Sequence, residues 1–246
     1  ISDNTKLSRK RATKVVEAGG VRVDGKRAKF ASQHVPEGAR VELQSSTPAQ
    51  TEHTIEVCYR DSAIVVVNKP CGLASQPMKD GRRSHLHGLL QAKLGYVGLH
   101  HRLDTPASGL MLFTLQKRFN AAIAEAFRPH SIQRTYQAVV VGDLPEAGTW
   151  RQEIDGQTAV THYRRLASSE GMSLIEATLE TGRTHQIRVH AAHSGHPIVG
   201  DRRHGGAAAQ LWPRLALHAA QLAFSHPESG EPVTVSAPVP EDLAAL

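Results

Sequence analysis

Short segments with the composition of β-strands dominate the chain from residue 51 onward and limit the folds open to it. Each combines β-branched and apolar residues over a few positions and is bounded by turn-forming residues. The predicted strands are 54–59, 63–68, 109–115, 134–141, 159–166, 173–179 and 233–236. Predicted helices are fewer, at 87–94, 117–127 and 184–193, with Thr184 as the cap of the last. The sequence therefore predicts a strand-rich domain of mixed α and β structure.

A separate small unit is predicted at the start of the chain. Ser8 is placed to cap a helix over residues 9–18. The dipeptide Asp24-Gly25 between short apolar segments predicts a tight hairpin, and a strand follows at 40–43. Residues 44–50 are rich in Ser, Thr, Gln and Pro, which is the composition of a linker.

Positive charge is concentrated in this first unit. Residues 1–40 contain ten Lys and Arg against four Asp and Glu, an excess that equals the formal net charge of +6. A basic arm on a neutral body is typical of a nucleic-acid docking module, although a basic face that serves only solubility has the same composition. The predicted domains are therefore a basic unit at 1–45 and a main domain at 46–246.

Composition narrows the function classes further. No apolar run approaches the roughly 18 residues that span a bilayer, and the polar first residues predict the absence of a secretory leader. Cys58 and Cys71 have neither the spacing of a metal site nor that of a disulfide framework. We therefore expect a monomeric cytoplasmic protein with inert thiols and no membrane partner. The Gly- and Ala-rich stretch 205–209 predicts a mobile loop.

A single carboxylate stands in a setting suited to chemistry. Asp104 lies between Arg102 and a turn that contains Pro106 and Gly109, just before a predicted strand. An aspartate there can act as a nucleophile, as a general base or as an ion-pair partner. No second acid has the spacing of a carboxylate pair, so any chemistry is expected to depend on Asp104 alone.

A second motif is basic and begins at Gly182. At a helix start, its backbone N–H groups and Arg183 would face a phosphate. Arg188 follows Thr184 by one helical turn; buried next to Asp104, it would keep that acid ionised and lower its pKa. An ordinary basic surface helix is the alternative.

Four histidines, at positions 185, 190, 193 and 196, are compatible in number with a metal site. His190 and His193 are three residues apart and can face the same side of a helix. However, no glutamate follows a helical histidine as in a metallohydrolase, and Asp201 is the only acid nearby. Phosphate contacts and turn hydrogen bonds explain these imidazoles better, so we expect no bound metal.

Six segments follow one another in a characteristic order. They are Val67-Asn68-Lys69-Pro70-Cys71-Gly72-Leu73 with Pro77, then 101–110, Arg134-Thr135-Tyr136-Gln137-Ala138, 182–190, 195–201 and Leu217-His218-Ala219. In this order they resemble the RluA-type family of pseudouridine synthases, which isomerise uridine in ribosomal and transfer RNA. The resemblance implies an α+β fold, namely a mixed, mainly antiparallel sheet with flanking helices and a central cleft that holds Asp104.

The resemblance also implies residue roles. Asp104 matches the family's catalytic aspartate, Tyr136 the tyrosine that stacks near the uracil and is a candidate base, and Arg188 the cation paired with the aspartate. The implied substrate-binding residues are Arg102, which helps to displace the flipped uridine, Ile187 and Leu217 against the base, and Arg183, Thr184 and His185. Ala107 and Arg134 depart from the usual Thr and Lys.

The first unit resembles the αL RNA-binding fold known from a small-subunit ribosomal protein, without the first helix of that pattern. The resemblance implies a small α/β unit that contacts RNA. The expected RNA-binding residues are Lys6, Arg9, Lys10, Arg11, Lys14, Arg22, Lys26 and Arg27.

The function implied by these resemblances is isomerisation of uridine to pseudouridine in structured ribosomal or transfer RNA. Asp104 would act without metal or cofactor, either as a nucleophile or by promoting elimination at the sugar. Two alternatives stay open, a non-catalytic RNA-binding or ribosome-associated module and a metal-dependent phosphoesterase built on the histidines. The sequence also leaves open which RNA and which uridine are modified.

Overall fold

The computed structural model describes residues 8, 12, 13, 16, 21–28, 30–43, 54–77, 84–128 and 131–244. The chain divides into two compact units, Ile1–His53 with Pro77–Ser84 and Thr54–Gln76 with His85–Leu246. The domain boundary after residue 45 stays a prediction.

The first unit contains a three-stranded antiparallel sheet. Its strands β1 (Val21–Val23), β2 (Lys26–Arg27) and β3 (Val41–Leu43) lie in the order β2-β1-β3. Asp24 and Gly25 both have positive φ, 49° and 73°, which is the backbone of the tight turn that joins β1 to β2. The predicted hairpin and the strand after it are therefore confirmed.

The predicted helix over 9–18 falls mostly outside the described residues. Ala12, Thr13 and Val16 are helical, and the Ala12 N–H donates to the Ser8 carbonyl at 2.8 Å. Val16 is buried together with Val21 of β1, so this helical segment contributes to the small apolar core of the unit.

The second unit is built on one sheet of ten strands, counted within the described residues. They are β4 (Glu56–Arg60), β5 (Ile64–Lys69), β6 (Gly98–Leu99), β7 (Ser108–Thr114), β8 (Gln133–Val141), β9 (Ala147–Trp150), β10 (Thr161–Ser169), β11 (Met172–Leu179), β12 (Leu217–Ser225) and β13 (Pro232–Ser236). The order is β4-β5-β7-β12-β8-β11-β10-β9, with β6 beside β7 and β13 beside β12. In this sheet β7 and β12 run parallel, and the other described pairs are antiparallel. The predicted mixed, mainly antiparallel sheet is confirmed.

All seven predicted strands are present, with ends displaced by a few residues. Three strands were missed, namely β6, β9 and β12. The short β6 carries little signal, and β9 contains a glycine. The alanine-rich β12 has low strand propensity but pairs with β7, β8 and β13, so tertiary pairing outweighs local preference.

The described helices are short. They are α1 (Leu86–Leu94), α2 (Asn120–Ala126), α3 (Gln186–His193) and α4 (Glu241–Ala244), with 3₁₀ turns at Lys117–Phe119 and Gly206–Gln210. The predicted helix 117–127 is thus a 3₁₀ turn followed by α2, and the stretch predicted as a mobile loop is a 3₁₀ turn. Thr184 was wrongly predicted as a cap, because the N-cap of α3 is His185 and no side chain caps it.

The centre of the sheet is buried on both faces. On β5, Val65 and Val67 lie in one apolar cluster, whereas Ile64 and Val66 lie in the other. Because alternate strand residues point to opposite faces, a continuous apolar run such as 63–67 is what a doubly covered strand requires.

Acid should destabilise this fold through His101. The Leu112 N–H on β7 donates to Nε2 of His101 at 2.9 Å, and the ring stacks on Phe127 with centroids 4.3 Å apart. Burial, reinforced by the charges of Arg134 and His100, lowers the pKa of His101 to about 3. The unfolded chain, with a pKa near 6.5, therefore takes up a proton more readily than the fold. Stability contributed by neutral His101 is present above pH 6.5 and is lost as pH falls toward 3.

We expect His101→Gln to unfold at a lower pH than the parent, since the amide oxygen still accepts from Leu112 but does not titrate. The stability at stake is at most about 5 kcal/mol. Circular dichroism during acid titration measures the midpoint, with His193→Gln, an exposed site, as the control. Equal midpoints for His101→Gln and the parent would contradict the assignment.

Candidate active site

Asp104 lies on the loop between β6 and β7, and a buried lysine clamps that loop. The fully buried Lys69 ammonium donates to the carbonyls of Leu73, Thr105 and Ala107 at 2.9, 3.3 and 2.6 Å. Burial lowers its pKa to about 8. Two of these carbonyls, those of Thr105 and Ala107, lie just after Asp104 in the chain, so the end of β5 fixes the backbone next to the carboxylate.

Gly109 allows the start of β7, just after the Asp104 loop, to approach β12 closely. Gly109 has φ +115°, and a Cβ at this position would lie 2.3 Å from the Ala219 carbonyl oxygen. Only glycine permits this approach, which occurs where β7 and β12 run parallel. The close approach to Ala219 therefore explains why the turn after Asp104 needs a glycine at position 109.

Arg188 on α3 binds two carboxylates. Its Nη1 donates to Asp104 Oδ2 at 2.6 Å, while Nε and Nη2 donate to Asp201 Oδ2 and Oδ1 at 2.8 and 2.7 Å. Burial disfavours the guanidinium charge, but the hydrogen bonds to Asp201 and Asp104 outweigh burial and raise the pKa of Arg188. The sequence prediction of an Arg188–Asp104 pair agrees with this geometry.

Asp201 was noted in the sequence without a role, and in the structure it is a second carboxylate bound to Arg188. Its side chain is 1% exposed, and Oδ1 also accepts the backbone N–H groups of Arg203 and His204 at 2.9 and 3.1 Å. Burial would raise the pKa of Asp201, but the Arg188 and backbone hydrogen bonds lower it to about 2. Asp201 therefore anchors Arg188. The available sequence signal for Asp201 was its position after Gly200, in the segment 195–201 that carries part of the family resemblance.

Tyr136 lies on β8 opposite two alanines, Ala177 on β11 and Ala219 on β12. It is 9% exposed. Burial raises the pKa of its hydroxyl, the charge of Arg134 opposes this effect, and the charge of Asp104 adds to it. The hydroxyl is therefore protonated at neutral pH, in a position where both charges act on it.

Arg134 is a buried cation near this tyrosine. Its Nη2 donates to the Thr181 carbonyl at 3.4 Å, and Nε has no partner among the described residues. A Cβ at Gly182 would lie 2.9 Å from Nη1 of Arg134. The glycine at the start of the basic motif therefore makes room for this guanidinium.

The residues predicted to contact the base are buried in the apolar cluster that contains Tyr136 of β8. Ile187 and Leu217 are 4% and 6% exposed and belong to the apolar cluster that contains Tyr136. Arg102, two residues before Asp104, is exposed. Ile187 and Leu217 are therefore core residues, whereas Arg102 is open to solvent.

The three residues predicted to bind phosphate, 183–185, have different surroundings in the structure. The Arg183 backbone N–H donates to Gln186 Oε1 and its Nε to the Thr158 carbonyl, both at 3.0 Å, so the expected free donor is already used. Thr184 is exposed. His185 Nε2 lies 3.6 Å from Asp104 Oδ1, so this residue joins the carboxylate site.

Most predicted RNA-binding residues lie outside the part of the chain that the structure describes. Lys6, Arg9, Lys10, Arg11, Lys14 and the side chain of Arg27 belong to that set. Arg22 and Lys26 are exposed, and Arg22 Nη1 donates to the Gly25 carbonyl at 2.8 Å.

Three further expectations concern metal binding, membrane spanning and the two cysteines. Among the described residues, no cluster of three or more His, Cys, Asp or Glu is arranged to hold a metal ion. Within the same residues, every helix is too short or too polar to cross a membrane. Cys58 and Cys71 are free thiols, and the Cys71 thiol donates to the Pro106 carbonyl at 3.1 Å.

Comparison with known proteins identifies the chain. The RNA pseudouridylate synthase family matches residues 63–193, and the S4 domain matches residues 6–41. Ribosomal large subunit pseudouridine synthase D of Xanthomonas campestris is 36% identical, over 98% of this chain and 84% of the relative. The uncharacterized RNA pseudouridine synthase YhcT of Bacillus subtilis is 34% identical, over 83% of this chain and 75% of the relative.

A solved structure shares the fold. The human protein RNA Pseudouridylate Synthase Domain Containing 4 superposes with a TM-score of 0.62 at 24% identity, covering 77% of this chain and 90% of that one. The sequence matches extend over both the S4 region and the sheet that carries Asp104. This chain therefore belongs to the RNA pseudouridylate synthase family and carries an N-terminal S4 domain.

Proposed function

We propose that this pseudouridine synthase acts on large-subunit ribosomal RNA, with Asp104 as its catalytic carboxylate. One observation carries the assignment of Asp104. Arg188 binds two carboxylates, and the side chain of Asp201 is 1% exposed whereas that of Asp104 is 24% exposed. Asp201 has its oxygens filled by protein donors, and Asp104 is the acid that an RNA substrate can reach.

The reaction requires a uridine to leave its stack, at a cost of a few kcal/mol. Arg102, which is exposed and lies two residues before Asp104, would occupy the space that the base vacates. Asp104 assists cleavage of the bond between ribose C1′ and uracil N1, by attack on the sugar or by promoting elimination. The uracil turns and rejoins through C5, after which the C5 proton is removed. One C–N bond is exchanged for one C–C bond, and no oxidant or reductant is consumed.

Tyr136 acts on the base, with its ring against the uracil and its hydroxyl as a candidate proton acceptor at C5. Ile187 and Leu217 form the apolar wall on which the base turns, because both are buried in the cluster that contains Tyr136. The charge of Arg134 opposes the effect of burial but does not outweigh it, so the hydroxyl has to give up its own proton before it can accept the one from C5.

Tyr136→Phe should lower turnover by about 100-fold or more while RNA affinity changes little, because the ring remains and only the hydroxyl is lost. Single-turnover rates at saturating RNA, together with the Kd from filter binding, separate the two effects. Val139→Ile, at another buried position on β8, is the packing control. Unchanged turnover would leave the hydroxyl without a required role.

Two features support ribosomal RNA as the partner. The relatives named above include a ribosomal large subunit enzyme, and the S4 region carries the basic excess of the chain. Lys6, Arg9, Lys10, Arg11 and Lys14 would contact phosphates, with Arg22, Lys26 and Arg27 on the hairpin. An enzyme that modifies ribosomal RNA would act in the cytoplasm, and we propose that it does so as a monomer.

The substrate proposal is tested with three RNAs. Purified protein is incubated with transcripts of large-subunit rRNA, small-subunit rRNA and a tRNA set, and pseudouridines are mapped by carbodiimide adducts that stop reverse transcription. We expect modification in large-subunit rRNA. Modification confined to tRNA or to small-subunit rRNA would contradict the proposed substrate. A parallel reaction with Asp104→Asn protein supplies the background.

A further inference from the structure

The rings of His185 and His204 connect Asp104 to the loop that follows Asp201. His185 Nδ1 and His204 Nε2 are 3.0 Å apart, and the rings meet edge to face with centroids 5.2 Å apart. On its other side, His185 Nε2 lies 3.6 Å from Asp104 Oδ1. The His204 backbone N–H donates to Asp201 Oδ1 at 3.1 Å. Because Asp201 binds Arg188 and Arg188 binds Asp104, these contacts form a closed ring.

Both imidazoles are neutral at physiological pH. Burial lowers the pKa of His185, and the charges of Arg188 and Arg203 lower it further against the opposing charge of Asp104. Burial and the charge of Arg188 likewise lower the pKa of His204. In a neutral pair, one ring nitrogen donates its proton and the other accepts it. The N···N contact therefore holds a single proton.

The carboxylate decides which ring donates. If His185 donated through Nδ1, the lone pair of its Nε2 would face the negative oxygen of Asp104, which is repulsive. If His204 Nε2–H donates to His185 Nδ1, the proton of His185 is on Nε2 and faces Asp104. We infer that His204 is a positioning residue that fixes this tautomer, so that His185 presents an N–H to Oδ1 of Asp104 while Arg188 holds Oδ2.

The backbone of His185 supports a specific function for its ring. His185 has φ 57° and ψ 24°, in the left-handed region that residues with a Cβ avoid. α3 begins at the next residue, so an ordinary extended cap was available at this position. Backbone strain of this kind accumulates where a side chain must be held in one orientation.

The expected consequence is control of Asp104 orientation. The inference rests on the proposed role of Asp104. With both oxygens facing donors, the carboxylate is fixed in rotation. Without the His204 proton, His185 can take the other tautomer and turn its lone pair toward Oδ1. Catalytic turnover should then fall, whereas RNA binding, which depends on other surfaces, should not.

The experiment compares two substitutions of His204. His204→Phe keeps a ring but removes the donor, and we expect kcat to fall about tenfold or more, because the N–H of His185 is then no longer held toward Asp104. His204→Gln places an amide N–H near the position of Nε2, so most of kcat should be retained. The Kd for RNA should stay within about twofold in both. His193→Phe, at an exposed position on α3, is the matched control.

A double substitution tests whether His204 acts through His185. In His185→Gln, the side-chain amide can face Asp104, but the Nδ1 acceptor is gone. Adding His204→Phe to this background should change kcat by less than about twofold. An equal loss in both backgrounds would contradict the inference, since His204 would then act independently of the His185 ring. His204→Met, which also lacks a donor, replaces His204→Phe if the latter does not fold.

The outcomes separate this inference from the proposed function. Substantial activity of Asp104→Asn in the same assay would contradict the role of Asp104 itself. An inactive Asp104→Asn protein together with a fully active His204→Phe protein would contradict the tautomer inference alone.

Discussion

Asp104→Asn should abolish pseudouridine formation while the protein still folds. The substitution keeps the volume of the side chain but removes the negative charge that the reaction requires at the sugar. Arg188 keeps its two hydrogen bonds to Asp201, so the buried guanidinium still has a counterion. We expect the rate at saturating RNA to fall by at least about 10³-fold, the scale of losing a covalent or acid–base catalyst.

The measurement is single-turnover release of tritium from RNA labelled at uridine C5. Thermal unfolding and RNA affinity, measured on the same preparation, should stay close to those of the parent. Asp143→Asn, which removes a carboxylate that is 71% exposed, is the matched control and should leave the rate unchanged. A rate for Asp104→Asn within about tenfold of the parent would exclude the assignment.

The sheet could be predicted because its signals are local. The apolar run 63–67 lies in a segment correctly predicted as a strand, and the structure adds that Val65 and Val67 fill one face and Ile64 and Val66 the other. β12 could not be predicted from its alanines, because its stability comes from pairing with strands that are distant in sequence. Long-range pairing overrides local propensity in this strand.

The candidate site was predicted in part. Asp104 and Arg188 are recognised by their motifs, and the structure brings them to 2.6 Å across 84 residues of sequence. The functions of Asp201 and His204 could not be predicted, because each depends on a contact that only the fold creates. Thr184 was assigned as a cap from its residue type, but the strained backbone of His185 takes that position.

Removing Arg188 should cause a large loss of stability in this fold. Arg188→Met leaves Asp201 buried without a cation, and we expect the free energy of unfolding to fall by about 3–5 kcal/mol. Arg202→Met, at an exposed arginine next to Asp201, is the control. In Arg188→Met/Asp201→Asn the amide oxygen can still accept the N–H groups of Arg203 and His204, and no unpaired charge remains at position 201. The double variant should therefore recover a large part of the loss. A double variant no more stable than Arg188→Met would indicate that lost packing, rather than the unpaired charge, causes the effect.

The pH dependence of Arg188→Met provides an independent check of the same cause. In the parent, the pKa of Asp201 is about 2 against an ordinary 3.8, so its contribution to stability is present above pH 3.8 and is lost as pH falls toward 2. Without Arg188, burial raises the pKa of Asp201 above its ordinary value, and the contribution of the ionised carboxylate to stability reverses its sign. The unpaired carboxylate then destabilises the fold at neutral pH and ceases to do so once it is protonated. The stability difference between parent and Arg188→Met, measured by urea unfolding, should therefore shrink as pH falls from 7 to 4; a constant difference would contradict the charge explanation.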